Sequence, residues 1–201
     1  MEYRAHLSKD KRLKKLVDQH DGMKLVKRRN IFLYLCRSIM SQQLSTRVAD
    51  IIHKRFVSLY GGEPTPQQVV ETPFETLRGI GLSNAKTRYV QHVARFAIDQ
   101  GMEFKALAKM DDEGVIQYLT QIKGVGRWTA EMMLMFVLGR EDVFSADDLG
   151  IQQAMAGIYR LDPADKKKFR EDIIRISGKW SPYRTYACMH LWHWKDQKKK
   201  K

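Results

Sequence analysis

The chain has 201 residues, with 36 Lys and Arg against 23 Asp and Glu, for a net charge of +13. That length admits one domain or two small lobes around a core that needs no covalent staples, and two cysteines, Cys36 and Cys188, are too few and too far apart for a disulfide framework or a four-cysteine metal site. No apolar run of about 18 residues and no N-terminal signal pattern occurs, so the expectation is a cytoplasmic protein without a membrane partner. The four terminal lysines supply only four of the excess charges. The rest lies in the body of the chain and points to a polyanion, nucleic acid before others; the competing reading is a basic surface kept for solubility.

In chain order, residues 1–22 show a short amphipathic pattern with Leu7, Leu13, Leu16 and Val17 among lysines. Asn30 is placed to cap a helix whose apolar residues Ile31, Phe32, Leu35, Ile39 and Met40 leave little polar face, so this helix is expected to be central and buried. Residues 41–45, Ser-Gln-Gln-Leu-Ser, interrupt it as a loop, and Val48, Ile51, Ile52, Phe56 and Leu59 resume helical spacing up to Gly61. Thr65-Pro66-Gln67-Gln68 and Thr72-Pro73-Phe74-Glu75 both read as capping boxes with proline at the first helical position. Next, Gly79-Ile80-Gly81 turns into a helix carrying Ala85, Tyr89, Val93 and Phe96. That turn reads as a structural corner, with contact to a polymer backbone as the alternative.

Asp111 or Asp112 caps a helix with Val115, Ile116 and Leu119, which leads into Gly124-Val125-Gly126. Two glycines one residue apart let the chain turn without a Cβ clash and leave the amides of residues 125–129 bare at a helix N-terminus, which attracts phosphate. Met133, Leu134, Val137 and Leu138 continue that helix to a stop at Gly139. Asp147-Asp148 then opens a helix with Leu149, Ile151, Met155 and Ile158. Asp162-Pro163 starts another through Phe169, Ile173 and Ile176, and Ser181-Pro182 starts the last, with Tyr186, His190, Leu191 and Trp194. No stretch alternates with period two, so the fold class is all-α. The six histidines form no ligand cluster with acids, so no catalytic metal is expected, and residues 195–201 read as a basic disordered tail.

Residues 122–130, Ile-Lys-Gly-Val-Gly-Arg-Trp-Thr-Ala, followed by 143–148, Val-Phe-Ser-Ala-Asp-Asp, resemble the helix-hairpin-helix, Gly/Pro-rich loop and aspartate of the HhH-GPD DNA glycosylase superfamily. The resemblance runs from Ile31 to Trp194 and points to the alkylbase branch, 3-methyladenine DNA glycosylase II. It implies a core over residues 1–194 in two helical lobes, with a DNA cleft between them and the hairpin at 120–130. The implied activity is monofunctional excision of alkylated purines, of the 3-methyladenine and 7-methylguanine type, from damaged double-stranded DNA by a monomer, leaving an abasic site. If bacterial, the protein would associate with the nucleoid. Two alternatives stand: a glycosylase for deaminated or oxidised bases, and a non-catalytic module that only grips duplex.

The same resemblance assigns residues. Asp148 takes the catalytic role, because a carboxylate near C1′ stabilises the sugar cation that develops as the base leaves. Spacing alone would not separate it from Asp147, which is left to cap the helix. Trp128 stands where backbone-cutting relatives place a Schiff-base lysine, hence the monofunctional expectation. Trp128, Trp192, Met132 and Leu149 match the base pocket, where an indole face suits a cationic alkylated purine; Met132 and Leu149 replace aromatic residues there, which bears on substrate range. Gln43 falls where a side chain enters the minor groove behind the extruded nucleotide, and Gly124, Val125, Gly126, Arg127 and Thr129 form the backbone grip. Carbonyls of Thr120, Ile122 and Val125 match those that hold a sodium or potassium ion, while the four C-terminal cysteines of iron-sulfur relatives have no counterpart. Lys123 replaces the hairpin's usual proline.

Overall fold

The computed structural model describes residues 2–20 and 22–198. Every regular element among them is helical: α1 (Glu2–Leu7), α2 (Lys11–Val17), α3 (Ile31–Ser41), α4 (Thr46–Leu59), α5 (Pro66–Glu71), α6 (Phe74–Gly79), α7 (Asn84–Asp99), α8 (Phe104–Leu107), α9 (Asp112–Thr120), α10 (Arg127–Met133) with a π-helical turn (Leu134–Leu138) continuing it, α11 (Leu149–Tyr159), α12 (Lys166–Gly178) and α13 (Arg184–Lys198). The all-α expectation holds. These helices sort into two compact units, one spanning Lys27–Leu138 and the other joining the residues up to Val26 to those from Gly139 on.

In the unit spanning Lys27–Leu138, α3 is the central helix. Asn30 Oδ1 accepts the Leu33 amide at 2.9 Å and starts it, Ile31, Phe32, Leu35, Cys36, Ile39 and Met40 are buried, and α4, α7 and α10 pack on it. Of the apolar positions expected to line α4, only Ile52 and Phe56 turn inward, while Val48, Ile51 and Leu59 stay exposed. Thr65 and Gln68 close the capping box of α5 as expected. The second box does not form. Thr72 ends α5, where its hydroxyl donates to the Gln68 carbonyl at 2.7 Å, so α6 starts at Phe74 from a Pro73 cap with no side-chain bond.

In the other unit, Asp10 ties the N-terminal helices down. It caps α2 and accepts the Tyr159 hydroxyl at 2.7 Å and the Trp180 indole N–H at 3.2 Å. Burial pushes its carboxyl up, but these donors outweigh that and hold it below the ordinary range. Helices α11 and α13 pack together, and Gly157 makes room for Trp194, whose Cη2 would lie 2.7 Å from an added Cβ. Helix α12 starts at Lys166 with Asp165 as its cap, later than Asp162-Pro163 led one to expect, because Asp162 spends its carboxylate on the Ala164 amide in the preceding turn. Helix α13 runs to Lys198, so the first four residues of the expected tail are helical; 199–201 lie outside the described residues.

Candidate active site

Asp148 ends a loop that is clamped at several points. Thr185 donates to the Arg140 carbonyl at 2.7 Å and accepts the Val143 amide at 3.0 Å. Arg184 forks onto Asp142 at 2.7 and 3.0 Å, and Ser181 donates to the same carboxylate at 2.7 Å. Burial would raise the Asp142 carboxyl, yet Arg184 and Ser181 hold it below the ordinary range. The start of α13 therefore fixes the path of residues 140–143. None of these partners was legible in the sequence, since Asp142 and Arg184 are 42 positions apart and no periodicity connects them.

The loop delivers Asp148, not Asp147, as the N-cap of α11. This corrects the capping role given to Asp147. Asp148 is buried, and its Oδ1 accepts the Ile151 amide at 2.8 Å and the Trp192 indole N–H at 2.9 Å. A carboxylate at a helix N-terminus sits at the favourable end of the dipole, and two donors from different helices fix its plane. Gly150 is what lets the pair meet, because a Cβ there would stand 3.0 Å from both Asp148 Oδ1 and Trp192 Cδ1. Asp147 is exposed and pairs with Arg170 of α12. Trp192 is thus held by its edge, while Leu149, 64% exposed, lines a groove of about 490 Å³ with Asp147, Gln152, Lys166, Phe169 and Arg170.

The residues assigned to the backbone grip lie in the Lys27–Leu138 unit. Gly124 has φ +102°, and an added Cβ would overlap the Tyr89 ring at 2.4 Å, so only glycine fits this turn. Gly126 caps α10 without a side-chain bond, so its leading amides are not satisfied by a cap of their own. Val125 and Thr129 are buried, and the Val125 amide is already engaged by the Ile122 carbonyl. Arg127 is engaged inside the protein: it forks onto Glu113 at 2.9 and 3.1 Å and reaches the buried Glu131 at 3.2 Å. Trp128 is 43% exposed and Met132 is buried. Tyr34 was not anticipated; its hydroxyl donates to the Met132 carbonyl at 3.3 Å just before the π-helical turn, and burial pushes its pKa up to about 12.

Gln43 stands exposed at the tip of the loop between α3 and α4, in a left-handed conformation with φ +57°. Ile122 is buried and its carbonyl accepts the Val125 amide at 2.9 Å, while Thr120 ends α9. No helix of the described residues is long and apolar enough to cross a membrane.

Residues 36–177 match the HhH-GPD superfamily of base excision DNA repair proteins. DNA-3-methyladenine glycosylase 1 of Schizosaccharomyces pombe is 36% identical over 185 residues, covering 90% of this chain and 80% of that protein. The solved Schizosaccharomyces pombe 3-methyladenine DNA glycosylase, in complex with abasic DNA, superposes with a TM-score of 0.80 at 34% identity, over 96% of this chain and 95% of that one. A DNA-3-methyladenine glycosidase from Bacillus halodurans gives a TM-score of 0.83 at 34% identity, over 97% and 89%. The chain therefore belongs to the HhH-GPD superfamily of base excision DNA repair proteins, in its 3-methyladenine DNA glycosylase branch.

Proposed function

We infer that this chain is a monofunctional DNA glycosylase, acting as a monomer, that excises alkylated purines from damaged duplex DNA and leaves an abasic site. The observation that carries the reading is Asp148, buried and held by two N–H donors at the start of α11; the sequence resemblance assigns it the role of the family's aspartate. As the bond between base and sugar lengthens, positive charge grows on the deoxyribose, and a fixed carboxylate stabilises that state more than the ground state. The same carboxylate orients the attacking water. Alkylation at a ring nitrogen makes the base cationic, which weakens its bond to the sugar. Trp128 is 43% exposed, and an indole face receiving such a cation gains about 0.5–2 kcal/mol.

Duplex binding falls to the turn at Gly124 and the amides that open α10. The carbonyls of Thr120, Ile122 and Val125 suit a sodium or potassium ion: Thr120 ends a helix, where carbonyls carry partial negative charge, and Ile122 keeps a second lone pair beyond the one bonded to Val125. When bound, the ion would be held by these carbonyls and would supply positive charge that attracts a DNA phosphate.

The test is single-turnover base release from methylated duplex, with products separated chromatographically. Asp148→Asn keeps an oxygen for both N–H donors, so folding and DNA binding stay near the parent's while release falls by about 10²–10³. Asp147→Asn loses only an exposed ion pair and should release base normally. An inactive Asp147→Asn beside an active Asp148→Asn would exchange the two roles. A parent that binds duplex and releases nothing would leave the gripping module as the function. Borohydride should not trap the protein on abasic DNA, since position 128 offers no amine.

A further inference from the structure

We propose that Lys86 is a positioning residue that holds the loop of residues 41–45 in the shape that presents Gln43 to the duplex. This rests on the reading of Gln43 as the side chain that fills the gap behind an extruded nucleotide.

The left-handed φ of Gln43 is one that side chains other than glycine rarely adopt, and such a conformation persists only where its surroundings enforce it. Gln43 itself is exposed, so the enforcement comes from its neighbours. Lys86 Nζ donates to the carbonyl of Met40 at 3.0 Å and to that of Gln42 at 2.6 Å. On the other side, the Gln42 side chain donates through Nε2 to the carbonyl of Gly124 at 3.4 Å. The residue before the tip is thus held from two directions, by α7 and by the glycine turn.

Lys86 occupies the first turn of α7, where the positive end of that helix's dipole opposes a cation. Its ammonium reaches away to the C-terminal end of α3, where the last carbonyls lack intrahelical donors and a cation is favoured. The lysine is therefore badly placed for its own helix and well placed for the loop. Partial burial of that ammonium also lowers its pKa. Through Gln42 the loop is tied to the Gly124 turn, so the inserting residue and the backbone grip are ordered together before DNA arrives, which spares the complex that ordering cost.

The variants are Lys86→Met, which keeps most of the stem and loses the charge, and Lys86→Arg, which keeps the charge. Hydrogen exchange of the amides of residues 43–45 should quicken by about tenfold in Lys86→Met, the equivalent of one charge-assisted bond, and return toward the parent in Lys86→Arg. Excision should separate by substrate. A methylated purine paired with its partner base must be extruded against pairing, and its single-turnover release should slow by about tenfold in Lys86→Met. The same lesion opposite an abasic site has little pairing to break and should be released at close to the parent rate. Adding Gln43→Ala to Lys86→Met should cost little more, because both changes remove one device. Unchanged loop exchange, or an equal loss on both substrates, overturns the proposal. A parent that releases no base from either duplex would sink the glycosylase reading, and the exchange measurement would still decide the role of Lys86 in holding the loop.

Discussion

The turn at Gly81 joins α6 to α7, and the turn at Gly124 joins α9 to α10. Each glycine holds a left-handed φ, +108° and +102°, and each stands three residues before its helix. Each is followed by a buried apolar residue, Leu82 or Val125. The endings differ. Ser83 accepts the Lys86 amide and caps α7, whereas Gly126 gives α10 no side-chain cap. The first turn also carries its own cation, since Arg55 donates to the Ile80 carbonyl at 3.3 Å. Corner geometry alone thus does not make a phosphate site. What distinguishes the second turn is that no side chain caps the helix it opens.

The widest gap between the turns should appear on adding a methyl group. Beside Gly81 a Cβ meets only Arg55 Nη1 at 3.5 Å and Ile52 at 3.6 Å, ordinary contacts, so Gly81→Ala costs the backbone strain alone, about 1–2 kcal/mol. At Gly124 the same strain is joined by overlap with the Tyr89 ring, adding about 1–3 kcal/mol. Urea melts of the two variants measure the difference, and Gly124→Ala should also lose DNA affinity. Equal melts would mean that Tyr89 swings aside, and the second turn would then be no more tightly specified than the first.

The sequence showed the two turns as echoes because glycine spacing and helical periodicity are local. For the same reason it placed the buried stripe of α3, the Thr65 box and the Gly139 stop. It failed where a side chain had two claimants. Thr72 could cap α6 or finish α5, and a carbonyl of the preceding helix took its hydroxyl. Asp147 and Asp148 could each cap α11; the choice was made by Trp192, 44 positions away, which no local pattern reveals. Lys86, Tyr34, Thr185 and Arg184 escaped notice altogether, because their partners are backbone carbonyls or distant acids.

Arg127 sharpens the comparison at the first position of α10, where α7 has the exposed Asn84. Arg127 holds the Glu113 carboxyl below its usual range and is paired with the buried Glu131. Arg127→Gln should destabilise by up to about 1 kcal/mol, since both pairs of this half-exposed guanidinium are screened by water, whereas Asn84→Gln should stay within about 0.5 kcal/mol. The salt dependence of duplex binding separates a structural from a gripping arginine. If the guanidinium stays with its two acids, the slope of log affinity against log salt is unchanged; if it moves to a phosphate in the complex, the variant's slope falls by about one.

The smallest expected effect is the most direct test of what an uncapped helix is for. Gly126 has φ −94° and ψ 173°, extended backbone that any residue adopts, and an added Cβ would meet nothing within 4 Å. Gly126→Ser therefore fits without strain and can do for α10 what Ser83 does for α7. By the register of that cap, its hydroxyl would take the Thr129 amide, one of those assigned to phosphate. A serine cap gains only a few tenths of a kcal/mol over glycine, so melting should rise slightly. Duplex affinity should fall by about three- to tenfold, the worth of one hydrogen bond. Gly126→Ala controls for the added Cβ and should bind as the parent does. Ser83→Gly, the reverse exchange, should lose a few tenths of a kcal/mol and leave DNA affinity alone. If Gly126→Ser melts higher and binds duplex as tightly as the parent, the Thr129 amide is not part of the grip. If Ser83→Gly gains affinity, the Gly81 turn also reaches the backbone, and the two turns are one kind of site after all.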